Sequence, residues 1–167
     1  MKEKVAIVNP YNKEHIRLLE EYEVRNKIIG LSEKFQDIAT SIPEEQYKKK
    51  ENESAQRKKT LFLLKDHEVL TCAHLMDEKD RKSCRIKIDT QGTQRQQELL
   101  LDYAINYAFE ILGTEEIFFL MERKNNISPL YLQTHQFEDL DLEEGMHIFM
   151  KSKEKENCST NRKDRRG

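Results

Sequence analysis

Residues 84–121 read CRIKID (84–89), TQGTQRQ (90–96), QELLLDYAINYAFEILG (97–113) and TEEIFFLM (114–121). The first piece is a short β-type run and the second a polar turn. The third is a long amphipathic helix with a glycine stop, and the fourth is another apolar run. In the helical piece Leu100, Leu101, Ala104, Ile105, Ala108, Ile111 and Leu112 recur at i, i+3, i+4 and i+7, which makes one apolar face; Gly113 falls at C′. The strand Glu116 to Met121 is apolar on both faces, as in a sheet covered on both sides. The pattern predicts two parallel strands joined by a helical crossover, a unit that nearly always winds right-handed. Its polar turn gathers backbone N–H groups at the positive end of the helix dipole, which is a potential anion site.

Upstream, Lys4 to Val8 is a β-branched run closed by Asn9-Pro10 and is predicted as the opening strand. Ile16, Leu18, Leu19 and Tyr22 sit at helical spacing, with Asn12 as N-cap, so a first helix is expected over Lys13 to Tyr22. A second, shorter helix is expected from about Ser32 to Ile42, stopped by Pro43. Pro43 to Lys58 is rich in Glu, Lys and Gln and reads as a solvated helix or mobile loop. Thr60 to Leu64 and Val69 to Met76 then form a hairpin, and Ser83 to Ile88 adds a third antiparallel strand after a charged turn at Asp77 to Lys82. Downstream come a short helix started by Ser128-Pro129, then Phe137, then a last apolar run, Met146 to Met150. One domain over residues 1–151 follows, with a basic tail, 152–167, expected to be disordered.

With 29 basic and 31 acidic residues the net charge is −2, which excludes a global attraction to nucleic acid or an anionic membrane. The tail has no aromatic residues to stack on bases, so a solubilising role is preferred there over RNA binding. Three cysteines without CxxC spacing argue against a disulfide framework. The N-terminus does not read as a signal peptide and no run approaches the length of a membrane span, so a soluble, cytoplasmic protein is expected. Cys72 and His74 alternate on one strand, but two such residues with no third in register predict a half-buried histidine beside a buried thiol and no metal site.

The order strand, two helices, three strands, helix, strand, short helix, strand resembles the GNAT superfamily of acyl-CoA-dependent N-acetyltransferases. The resemblance runs from Val5 to Lys151, and LLDYAINYAFEILGTEEIFF (100–119) is its closest match, to the family's central helix and following strand. It implies an α/β fold: a mixed sheet of six or seven strands, antiparallel in its first half, with helices on both faces. It also implies acetyl-CoA as co-substrate and an amine acceptor, small molecule or protein. On this resemblance the cofactor lies along Ile86 to Asp89, with Ile88 and Asp89 at its end, and its pyrophosphate meets the N–H groups of Gln94, Arg95, Gln96, Gln97 and Glu98. Asn125 opens a segment similar to the family's "N…A…LY…GF" run and is carried over as a cofactor contact.

The sequence departs from the family at three places. The phosphate turn has the form Arg/Gln-x-x-Gly-x-Gly/Ala in the family, whereas Gly92 to Gln97 put Arg95 and Gln97 where glycine is expected. Side chains there would crowd a phosphate or force the turn out of shape; if the chain is an inactive binding module, restoring glycine at both is expected to create cofactor affinity. The family's acid, a tyrosine, aligns with Leu132, and Tyr131 stands one place earlier as the catalytic candidate or a packing residue. The glycine before Phe137 is Gln136. For a general base the sequence offers Asp89 and Glu78, for each of which a surface carboxylate is the preferred reading. The expected function is therefore N-acetyl transfer from acetyl-CoA to an amine; the alternative is a catalytically inactive GNAT-fold binding or regulatory module.

Overall fold

The computed structural model describes residues 2–143 and 145–153. A seven-stranded sheet runs through the chain in the order β1-β2-β3-β4-β5-β7-β6. Its strands are β1 (Lys4–Ile7), β2 (Gln56–Lys65), β3 (Glu68–Glu78), β4 (Ser83–Ile88), β5 (Glu116–Glu122), β6 (Glu138–Glu143) and β7 (Met146–Ser152). Every pairing is antiparallel except β4 with β5, which are parallel and joined by helix α4 (Gln94–Asn106), as the 84–121 stretch requires. Helices α1 (Lys13–Asn26), α2 (Leu31–Ser41) and α3 (Glu44–Glu53) precede β2, and α5 (Pro129–Thr134) follows β5. This is the mixed sheet expected from the sequence.

Period-2 alternation sorts the sheet's side chains onto two faces. On one face Leu61, Leu63, Leu75, Ile86, Ile88, Ile117, Phe119 and Phe149 pack against the apolar stripe of α4 and against Leu132 of α5. On the other, Phe62, Leu64, Val69 and Cys72 pack against Ile16, Leu19 and Tyr22 of α1 and Phe35 of α2. That second core stops at β3. Beyond it, on the same face, Met76, Phe118, Leu120, Met146, Ile148 and Met150 are half-buried and Arg85 and Lys87 are exposed. The fold thus leaves a shelf open where β3, β4 and β5 meet.

Several elements differ from the sequence reading, each through a tertiary contact. β2 begins at Gln56 rather than Thr60, because Gln56 to Lys59 pair with Leu75 to Glu78 of β3. There Arg57 faces Asp77 directly and donates from Nη2 at 2.6 Å and Nε at 2.9 Å to a carboxylate that is almost fully buried. α1 runs one turn further than expected, to Asn26, and ends on Lys27 in the left-handed region. α4 does not stay α-helical to its end: residues 107–111 form a π-helical turn with Leu112 N–H bonded to Tyr107 C=O, and Gly113 follows at φ +73°. β6 was not expected, since EDLDLE carries no β-branched residue; pairing with β7 makes it a strand. The tail from residue 154 onward lies outside the described residues.

Candidate active site at the β4–β5 divergence

β4 and β5 are in register only from Ser83 to Ile86 against Glu116 to Phe119, although they continue to Ile88 and Glu122. Past that point they part, and Asn125 stands across the opening. Its Nδ2 donates to Ile88 C=O at 2.9 Å, to Asp89 C=O at 3.4 Å and to Gln97 Oε1 at 3.1 Å. Its Oδ1 accepts from Glu122 N–H at 2.8 Å, so one amide ties the tip of β4 to the end of β5.

Gln97 completes the same cluster. Its side chain is fully buried; Nε2 donates to Thr90 C=O at 3.1 Å and Gly92 C=O at 3.2 Å, and Oε1 also accepts from Asn126 N–H at 2.8 Å. The side chain at this place therefore points inward and braces the turn, where sequence reasoning had it crowding a phosphate. Gly92 sits at φ +89°, where a side chain would be strained, and an added Cβ would stand 3.2 Å from Gln96 Oε1, which would have to give way. Thr93 and Gln96 form a capping box in which each side chain takes the other's backbone N–H. Among the described residues this leaves the N–H groups of Gln94 and Arg95 pointing out of the helix start without a partner. The Arg95 guanidinium pairs with Glu3 near β1. Glu98 accepts from Ser128 N–H at 2.8 Å and so positions the start of α5.

The structure therefore brings Ile88, Asp89, Gln97 and Asn125 into one hydrogen-bonded group and leaves Gln94 and Arg95 exposed at the helix start. Tyr131 lies elsewhere: its hydroxyl donates to Asp102 of α4 at 2.5 Å and its ring stacks on His135 with centroids 3.9 Å apart. Burial and the Asp102 carboxylate push this phenol far above its ordinary value. Leu132 is a core residue.

On the shelf side of the divergence the structure assembles what the sequence kept apart. The Asp89 carboxylate accepts from Tyr22 Oη at 2.6 Å and from His74 Nε2 at 2.9 Å. The other ring nitrogen, His74 Nδ1, faces Thr60 Oγ1 at 3.3 Å. Tyr22 is fully buried, and burial, then Cys72 and Asp89, raise its phenol far above the usual value, so it serves as a fixed donor to Asp89. About a third of the His74 side chain is open to solvent. It borders a cleft of about 380 Å³ that also touches Thr60, Lys58, Lys87, Leu120 and Met146, and so crosses from β2 to β5 and β7 over the divergence. Glu78, the other carboxylate considered as a base, is held by Arg85 at 2.8 Å, which pulls its carboxyl below the usual range. Tyr22 was invisible as a site residue because it lies 67 positions from Asp89 and reads only as part of an amphipathic helix.

No protein-family model and no curated protein sequence matches this chain. Solved structures do match in fold. The N-acetyltransferase PseH of Campylobacter jejuni, in complex with acetyl coenzyme A, superposes with TM-score 0.54 at 16% identity, covering 90% of this chain and 99% of that one. A GNAT-family acetyltransferase from Streptococcus pneumoniae gives 0.58 at 16% identity over 90% and 99% of the two chains. The spermidine/spermine N-acetyltransferase SpeG of Vibrio cholerae, in mutant form, gives 0.58 at 14% identity over 92% and 96%. Sheet order, the parallel β4–β5 pair and these superpositions together establish that the chain has the GNAT acetyltransferase fold.

Proposed function

We propose that this protein is an acetyl-CoA-dependent N-acetyltransferase in which His74 is the general base. The observation that carries the reading is the His74–Asp89 pair, in which His74 borders the cleft where β4 and β5 diverge and Asp89 holds the ring from behind. The residues present allow a pyrophosphate at the start of α4 through the outward N–H groups of Gln94 and Arg95, with Gly92 keeping the backbone close. The capping box spends two further N–H groups, which makes that grip a weak one. Acetyl-CoA, when bound, supplies an activated acyl group. The chain's part is to hold the acceptor amine on the shelf and remove its proton. Asp89 fixes the His74 ring, with Nδ1 as the basic atom, and Thr60 Oγ1 beside it offers a relay to water.

Calorimetric titration with acetyl-CoA, followed by CoA-thiol release over a panel of amines, tests the reading. His74→Ala is expected to lower kcat by about 10²- to 10⁴-fold with little change in acetyl-CoA affinity. No acetyl-CoA binding at millimolar ligand ends the proposal. The capping box favours a second reading, a GNAT-fold binding module without catalysis, because a turn that satisfies its own donors has less to offer a phosphate. Acetyl-CoA-dependent turnover that His74→Ala abolishes rules that second reading out.

A further inference from the structure

The cleft in front of His74 is lined by charge of one sign. Strand register sets the spacing: Thr60, His74 and Lys87 stand opposite one another on β2, β3 and β4, and one pleat along stand Lys58, Met76 and Arg85. Directly opposed side chains have Cβ atoms about 4.5–5.5 Å apart and diagonal ones about 7–8 Å, so Lys87 is a direct neighbour of the imidazole and Lys58 a diagonal one. Lys34 of α2 and Lys59 also line the cleft, and among the described residues no carboxylate does. Two of the five cations are neutralised: Lys59 by Glu51 at 2.6 Å and Arg85 by Glu78 at 2.8 Å. Lys34, Lys58 and Lys87 form no ion pair among the described residues. An adjoining cleft shares Lys58, Lys59 and Thr60 and does contain Glu44 and Glu51, but those carboxylates already face Lys48 and Lys59. Met76, Leu120 and Met146 give the cleft an apolar floor beside the cations.

Three uncompensated ammonium groups around a concave surface raise its positive potential and repel cationic ligands, whereas an anion there would gain charge-assisted hydrogen bonds. We infer that the acceptor is an amine carrying an anionic group, a carboxylate or phosphate, which sits on Lys58 and Lys87 and presents its amine to His74. The same field disfavours a polyamine. The inference rests on the acetyltransferase reading for the amine's fate, but the anion site stands on the cleft alone.

The test compares amines matched except for the anion: glucosamine 6-phosphate with glucosamine, 4-aminobutyrate with 4-aminobutanol, and spermidine as the cationic case. CoA-thiol release reads turnover; a thermal shift without acetyl-CoA reads binding of glucosamine 6-phosphate, 4-aminobutyrate and inorganic phosphate separately. At least one anionic member should exceed its neutral partner by about tenfold or more in kcat/KM, and the two pairs separate phosphate from carboxylate recognition. Lys58→Glu and Lys87→Glu should each erase that preference and the thermal shift, while the exposed Lys13→Glu on α1 preserves both. Both cleft lysines are exposed, and unchanged melting of the unliganded variants shows that the fold survives. An anion-induced shift lost in the lysine variants, with no turnover of any amine, supports the anion site while the acetyltransferase reading fails. Equal use of neutral amines or spermidine, lysine variants that keep the preference, or the absence of both preference and shift overturns the inference.

Discussion

Replacing Gln97 with glycine restores the residue that the GNAT phosphate turn carries at this place, and the structure makes that substitution costly. The Gln97 amide is fully buried and holds four partners: Thr90 C=O, Gly92 C=O, Asn125 Nδ2 and Asn126 N–H. A net value of about 1 kcal/mol for each bond, discounted because Asn125 keeps Ile88 C=O, gives a loss of about 2–3 kcal/mol. Glycine inside the first turns of α4 adds about 1 kcal/mol. The total of about 3–4 kcal/mol is a large share of the roughly 5–15 kcal/mol that holds such a domain together. Equilibrium urea unfolding should show a lower midpoint at unchanged slope, and a domain of this size should melt about 10 °C lower. Acetyl-CoA affinity should not rise, since the turn loses its brace. Gln97→Glu keeps the shape but turns an oxygen toward two carbonyls, so at neutral pH it should be at least as damaging as glycine. A Gln97→Gly protein within about 1 kcal/mol of the parent would refute the argument that this amide holds the turn.

Tyr131→Phe removes the 2.5 Å bond to Asp102 while His135 remains on that carboxylate at 3.1 Å. It should cost about 1–2 kcal/mol of stability and change kcat less than twofold; a tenfold or greater fall in kcat would restore Tyr131 as the acid. Alkaline pH should destabilise the fold. Burial raises the Cys84 thiol to about 12, and the Cys72 thiol and the Tyr22 and Tyr131 phenols are also raised. Above the ordinary thiol value of 9.0 the unfolded chain binds fewer protons than the folded one, so the stability present below that pH is lost as pH rises toward 12. Urea midpoints at pH 8, 10 and 11 should fall in that order, and a constant midpoint would contradict the burial assigned to these groups.

The 84–121 stretch made the crossover, its parallel strands and the GNAT architecture legible, because an amphipathic helix between apolar runs has few ways to bury its face. The same reading singled out Asn125 and the turn at Gly92 to Gln97 but not the hydrogen bonds that join them. Gln97 looked like an obstruction to a ligand, since nothing in QRQQE tells an inward amide from an outward one. Its direction follows from the carbonyls of Thr90 and Gly92 and from Asn125, 28 residues away. β6 and the early start of β2 were missed for a related reason: polar strands are specified by their partners.

Sequence alone determined the order of elements through β5, the two-sided core and the family pattern from which the turn departs, because periodicity and glycine placement act locally along the chain. Only the tertiary structure decided that Tyr22, Thr60, His74 and Asp89 meet at one point. It alone decided, too, that Lys58 and Lys87, separated by 29 residues, face one cleft. Sheet register makes neighbours of residues that no local pattern connects, and the site is built from such neighbours.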